Sequence, residues 1–135
     1  MPSPVSDFPA AAPQDAAEHF ARKLAFEADC WDVHASLTVG KVDFVLLDVR
    51  SPTLFAHSHV PGAISLPHGK MTAHRMSDWS ADTLFVVYCA GPHCNGADKA
   101  ALRLARLGLA AKVMIGGMTG WADEGFSFET ESAAA

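Results

Sequence analysis

The chain predicts an α/β fold in which a central, mostly parallel sheet of five strands is covered by helices on both faces. Three observations carry this. The strongest strand candidates, residues 44–49 and Leu84–Tyr88, are unbroken apolar runs rather than alternating ones, the pattern of strands buried on both sides. Each is followed by turn residues and then by helix-forming composition, so strands and helices alternate as parallel crossovers require. The 135 residues, half of them hydrophobic, suffice for one core and no second domain.

Bulk properties remove several function classes. A net charge of −5 with ten scattered Lys and Arg offers no basic face, which argues against a nucleic-acid partner. The longest apolar runs are too short to span a bilayer, and the N-terminus lacks a basic region followed by an apolar segment, so no membrane or secretory role and a cytoplasmic location are expected. Three cysteines, an odd number, do not form a disulfide framework and suit a reducing compartment.

In chain order, residues 1–14 hold four of the eight prolines and read as a flexible leader before a domain at 15–127. Ala16, Phe20 and Leu24 form an apolar stripe, which predicts a helix to about Ala28, capped by Asp15 and lying over the sheet. Residues 31–35 form a short first strand and 36–40 a turn, with Cys30 a buried structural cysteine. Strand 44–49 ends in Asp48 and Arg50, a charged pair that is costly at a core strand end unless it ties that end to neighbouring loops. Ser51 and Pro52 start a short helix through His57. His59-Val60-Pro61-Gly62-Ala63 is a turn leading to a strand of about three residues closed by Pro67, and 70–79 is irregular or briefly helical.

After Leu84–Tyr88, residues 90–96 form a loop, and the next helix is expected to face the sheet with Leu102, Ala105 and Leu109, flanked by Ala101 and Leu104, between Gly96 and Gly108. A last strand at 111–115 is broken by Gly116 and Gly117. A closing helix then begins at Met118 or Thr119, carries Trp121 and ends at Gly125, and the tail 128–135 frays.

Cys89 is the candidate nucleophile. It ends a core strand, and in open α/β sheets ligands bind beyond the carboxyl ends of strands. Loop amides from Ala90, Gly91, Pro92, His93, Cys94, Asn95 and Gly96, proline excepted, converge with the first turn of the helix on one point that favours negative charge. A thiol that normally titrates at about 8.5 is held there as thiolate. The competing reading is an inert cysteine buried at a strand end.

Four features resemble the single-domain rhodaneses: Leu47-Asp48-Val49-Arg50 after a core strand, the His59 to Ala63 turn, Val86-Val87-Tyr88-Cys89 opening a loop, and Gly116-Gly117 with Trp121. Each is weak alone; in this order they span most of the chain. The resemblance implies a rhodanese-like sheet and a sulfurtransferase. Cys89 would take the outer sulfur of a donor such as thiosulfate, become a persulfide, and pass that sulfur to cyanide or a thiol, including a protein thiol, by a ping-pong route without cofactor or metal. It also makes Asp48, Arg50, His59, Gly62 and Trp121 structural.

The loop departs from the family, which usually presents an arginine near its far end where this chain has Cys94 and Asn95. Without that charge thiosulfate is in doubt as the natural donor. Cys94 is either a thiol that resolves or relays sulfur from Cys89, or a small loop residue with no part in turnover. His93 either supplies the missing cation or is an exposed loop residue. Cys89, His93 and Cys94 do not match structural zinc spacing.

Two other functions compete. A cysteine phosphatase or arsenate reductase needs an arginine six positions after the nucleophile, where Asn95 stands. A non-catalytic binding module, or a redox sensor switching between Cys89/Cys94 dithiol and disulfide, remains consistent with the loop.

Overall fold

A computed structural model describes residues 1–131. Strands β1 (Glu27–Ala28), β2 (Val45–Asp48), β3 (Ile64–Ser65), β4 (Leu84–Tyr88) and β5 (Ala110–Met114) form one sheet in the order β1-β5-β4-β2-β3, and every pairing is parallel. The α/β architecture expected from the sequence is present. Strand β4 lies at the centre, and its alternate side chains enter two cores. Phe85 and Val87 pack with α4 (Ala73–Met76) and α5 (Gly96–Arg106), while Val86 and Tyr88 pack with α2 (Cys30–Val39) and α6 (Gly117–Asp123). Burial on both faces is why the run carries no polar alternation.

The first expected strand is a helix. Residues 31–35 lie in α2, and the edge strand β1 falls where the periodicity placed the end of the preceding helix. Asp29 caps α2 by accepting from the Asp32 amide at 2.8 Å, and Gly40, at φ 74°, ends it. The inward residues Cys30, Val33, His34 and Leu37 follow a helical repeat, which a five-residue window conceals.

Helix α1 (Pro13–Phe26) starts at Pro13 rather than after an Asp15 cap, and it does not bury its stripe. Phe20 is 57% and Leu24 71% exposed, because α1 flanks the two-residue edge strand instead of covering the sheet. In α5 the expected leucine stripe is also displaced. Ala97, Ala100 and Leu104 are buried while Leu102 and Ala105 are exposed, so small residues bring this helix close to the sheet. Helix α6 begins at Gly117, one residue before the expected start.

The remaining expectations hold closely. Ser51 caps α3 (Pro52–His57) by accepting from the Leu54 amide, with Pro52 in its first turn. Residues 68–70 form a 3₁₀ turn before α4. Pro61 and Gly62 occupy a tight turn closed by Ala63 N–H to Val60 C=O at 3.1 Å, where φ 84° at position 62 favours glycine. His59 is buried, stacks on Phe55 and pairs its backbone with Glu129 in both directions at 2.9 Å. Of the tail expected to fray, residues up to 131 include this bridge and a Glu131 N–H to Ala56 C=O bond, and 132–135 lie outside the described residues.

The Asp48 carboxylate, fully buried, organises the carboxyl end of the sheet. It accepts from Arg50 N–H at 3.0 Å, Arg50 Nη2 at 2.7 Å and the Tyr88 hydroxyl at 2.7 Å. The Tyr88 hydroxyl in turn accepts from Val60 N–H at 3.0 Å, and Arg50 Nη2 also donates to Ser58 C=O at 2.6 Å. The pair thus ties β2 and β4 to the loop after α3, as the sequence suggested. Burial, and then the Asp48 charge, push the Tyr88 phenol well above its ordinary range.

Asp48→Ala strands the Arg50 guanidinium and costs about 3–5 kcal/mol, and Tyr88→Phe, which removes two hydrogen bonds, costs about 1–3 kcal/mol, both read by urea unfolding. The Cys30 thiol is pushed from 9.0 to about 11 by burial first and then by the Asp29 and Glu124 carboxylates. The folded chain therefore keeps this proton where the unfolded chain has lost it, and stability declines as pH rises from 9 to about 11. Cys30→Ala flattens that decline in unfolding midpoints measured across the window.

Candidate functional site

Cys89 directly follows the last residue of β4, and the hydrogen bonds of Tyr88 fix where it points. The loop turns back through a Cys94 N–H to Gly91 C=O bond of 3.0 Å, and α5 starts at Gly96. This fold brings Cys89 and Cys94 together as a disulfide, with their Cα atoms 6.4 Å apart, inside the span a disulfide bridges without backbone movement. Gly96 makes the room: a Cβ there would lie 2.9 Å from Cys89 Sγ and 3.4 Å from Cys94 Sγ.

The expected ring of amides donating to Cys89 Sγ is not formed among the described residues. Among the described residues one amide donates to a loop sulfur, Gly96 N–H, and it goes to Cys94 Sγ at 3.4 Å. Asn95 makes no side-chain cap on α5, so that helix start has no side-chain acceptor from its cap residue. Pairing turns Cys89 Sγ toward Cys94, and Cys89 keeps 8% exposure while Cys94 is half-buried.

The opposite wall comes from the start of α6. Met118 N–H donates to Cys89 C=O at 3.1 Å, and the Thr119 amide and hydroxyl donate to Ala90 C=O at 3.0 and 3.1 Å. A side chain on Gly117 would strike the Cys89 carbonyl, and its φ of 54° also favours glycine. The glycine pair noted in the sequence is therefore what lets α6 clamp the loop. Gly91 is needed for the same reason, since a Cβ there would lie 2.6 Å from Thr119 Oγ1.

A cavity of about 240 Å³ between the loop and the ends of β1 and β5 is lined by Cys89 and Cys94. Its lining includes the carboxylate residues Glu27 and Asp98 and no lysine, arginine or histidine. Glu27 is paired with Lys23 at 2.7 Å. Asp98 lies in the first turn of α5 and sets a negative charge beside the helix end that faces the sulfurs.

Of the residues singled out in the sequence, Ala90 and Gly96 are half-buried, Gly91 is buried, and Pro92, His93 and Asn95 are exposed. His93 is not in the cavity lining. Asp48, His59 and Trp121 are buried, Arg50 is half-buried and Gly62 exposed, and the Trp121 indole donates to Ser127 C=O at 3.0 Å. Sequence reasoning missed Glu27, Asp98 and Thr119. Glu27 was hidden by its assignment to a helix, and Asp98 and Thr119 carry no motif signal. Cys30, the free cysteine, sits behind the glycine pair with its thiol directed at Ile115 C=O and Gly117 C=O. No group of three or more metal-ligating side chains is assembled among the described residues, and no described helix is long and apolar enough to cross a membrane.

Comparison with known proteins agrees with this architecture. The BH2092 protein from Bacillus halodurans superposes with a TM-score of 0.85 at 34% identity, covering 88% of this chain and 87% of that one. A thiosulfate sulfurtransferase from Pseudomonas aeruginosa shares the fold, with a TM-score of 0.68 at 22% identity over 83% of this chain and 21% of that one. Over 80 residues the chain is 35% identical to the HTH-type transcriptional regulator Rv0324 of Mycobacterium tuberculosis (strain ATCC 25618 / H37Rv). That match covers 58% of this chain but only 34% of the regulator, so the chain spans about a third of that relative. The Rhodanese family, described as a Rhodanese-like domain, matches residues 32–124, and with a five-stranded parallel sheet whose central strand delivers Cys89 into the loop clamped by α6, this chain belongs to the rhodanese-like domain family.

Proposed function

We propose that the protein is a sulfurtransferase that carries a sulfane sulfur as a persulfide on Cys89. The observation that supports this most is the placement of Cys89: beyond the carboxyl end of the central strand, opening into a cavity beside a helix start. In the first half-reaction the Cys89 thiolate attacks the outer sulfur of the donor and expels the remainder of the donor as an anion. In the second, a thiophilic acceptor, a thiol or cyanide, takes that sulfur and Cys89 leaves as thiolate. No cofactor is required by these steps, and a reducing cytoplasm is the compartment that suits them.

The lining of the cavity bears on the donor. Asp98 stands at the mouth with no cation in the lining, and Glu27 is already held by Lys23, so a dianion such as thiosulfate meets an uncompensated negative charge there. An alkyl persulfide, which carries at most one negative charge, suits the cavity better. A second reading, a thiol switch in which the Cys89–Cys94 disulfide is itself the signal, is favoured by that pairing. The two readings separate by mass: sulfur gain on Cys89 marks transfer, and loss of two protons without sulfur gain under any donor marks the switch.

Cys89→Ser is expected to abolish sulfur loading and turnover while leaving the unfolding midpoint within about 1 kcal/mol of wild type, because the change is small and at the loop mouth. Retained turnover in this variant, followed by cyanide or thiol acceptance, would remove Cys89 from the mechanism. Asp98→Asn is expected to raise the rate of loading from thiosulfate by roughly 3- to 10-fold at low salt, with the gain shrinking as ionic strength rises. An unchanged rate across the salt series would show that Asp98 does not act on the donor.

A further inference from the structure

We infer that Cys94 is the resolving thiol of a two-step cycle whose product is hydrosulfide, and that the partner restoring the loop is a dithiol reductant. The inference rests on the sulfurtransferase reading above and names the acceptor within it. Once Cys89 carries the persulfide, the Cys94 thiolate attacks the inner sulfur, Cys89 Sγ. The bond between Cys94 Sγ and Cys89 Sγ forms, the bond to the terminal sulfur breaks, and the electron pair leaves on hydrosulfide. The sulfane sulfur has been reduced and the two loop thiols oxidised to the disulfide. A dithiol then reduces that disulfide by exchange, becoming a disulfide itself and returning both loop protons. Summed, one persulfide and one dithiol give one thiol, one hydrogen sulfide and one oxidised dithiol.

Four observations converge on this cycle. The loop pairs Cys89 with Cys94, and the Cα separation of 6.4 Å lets a disulfide form without backbone movement. Residue 96 lacks the side chain that would crowd both sulfurs, so the loop holds them side by side. The amide that reaches a sulfur, Gly96 N–H, donates to Cys94, which stabilises the attacking thiolate rather than the sulfur under attack. The cavity lined by both cysteines carries the Asp98 carboxylate, with Glu27 held by Lys23, and a negative charge there speeds departure of the hydrosulfide anion and hinders entry of anionic acceptors. An internal thiol at an effective concentration on the order of millimolar or more then outruns an external one. Cys94, the more exposed of the pair, is where the reductant attacks.

The test uses fully reduced protein freed of small thiols and mixed with one equivalent of a low-molecular-weight alkyl persulfide, with released hydrosulfide trapped by a bimane reagent and the protein read by intact mass. Wild type is expected to release about one equivalent of hydrosulfide and to finish about 2 Da below its dithiol mass. Cys94→Ser and Cys94→Ala are each expected to keep about 32 Da on Cys89 and to release hydrosulfide at least about tenfold more slowly. Loading in both variants with wild type also keeping the extra sulfur, whether on Cys89 or moved to Cys94, overturns the resolving role and leaves the transfer reading standing. Hydrosulfide release undiminished in both variants overturns it equally. If no form of the protein gains or releases sulfur, the transfer reading fails and this inference with it.

Discussion

The close approach of the first turn of α6 to the carbonyls of Cys89 and Ala90 is the contact on which the site depends. It is possible only because residue 117 has no side chain, and it converts a loop of small residues into a fixed ledge. Three hydrogen bonds from Met118 and Thr119 hold that ledge from one side. From the other, α5 comes close through Ala97 and Ala100. With both helices in place, the strand end, the loop and the helix start form a rim in which two sulfurs meet. A side chain at residue 117 would strike the Cys89 carbonyl and break this approach.

A second constraint holds the strand that feeds this rim. Asp48 is a buried charge, and such a charge is tolerated when its partners satisfy it. Its acceptor capacity is filled by the Arg50 backbone and guanidinium and by the Tyr88 hydroxyl, which sits one residue before Cys89. The charged pair is thus tied to the residue that immediately precedes Cys89. The buried network and Cys89 therefore follow one another along the chain because the same strand end carries both.

Much of this was legible in the sequence for definite reasons. Strands β2 and β4 are apolar on both faces, a pattern few other elements share, and Ser51-Pro52 and Pro61-Gly62 are turn chemistries with one meaning. Cys89 could be placed because a strand, a glycine-bearing loop and a helix follow one another. What escaped reading was set by tertiary context. Residues 31–35 gain their helix from the Asp29 cap and from burial of Cys30 and Val33, which a short window does not weigh. The α5 stripe went to alanines because contact with the sheet rewards small size there, whereas Leu102 stays half exposed. Glu27 and Asp98 meet at the cavity although 71 positions separate them along the chain, and no local pattern announces a pairing of that kind.

The three thiols show how one fold keeps like groups chemically distinct. Cys30 lies in the α2 and α6 core, aimed at two carbonyl oxygens and near two carboxylates, and every one of those neighbours favours the protonated thiol. Cys94 has the opposite surroundings: partial exposure and an amide donor at a helix start, which favour the thiolate. Cys89 stands between them, at the strand end, with its carbonyl fixed by α6 and its sulfur turned into the loop. Exchange follows the thiolate, so the sulfur chemistry proposed for this fold falls to the loop pair, while the third thiol lies on the far side of the glycine pair that clamps the loop.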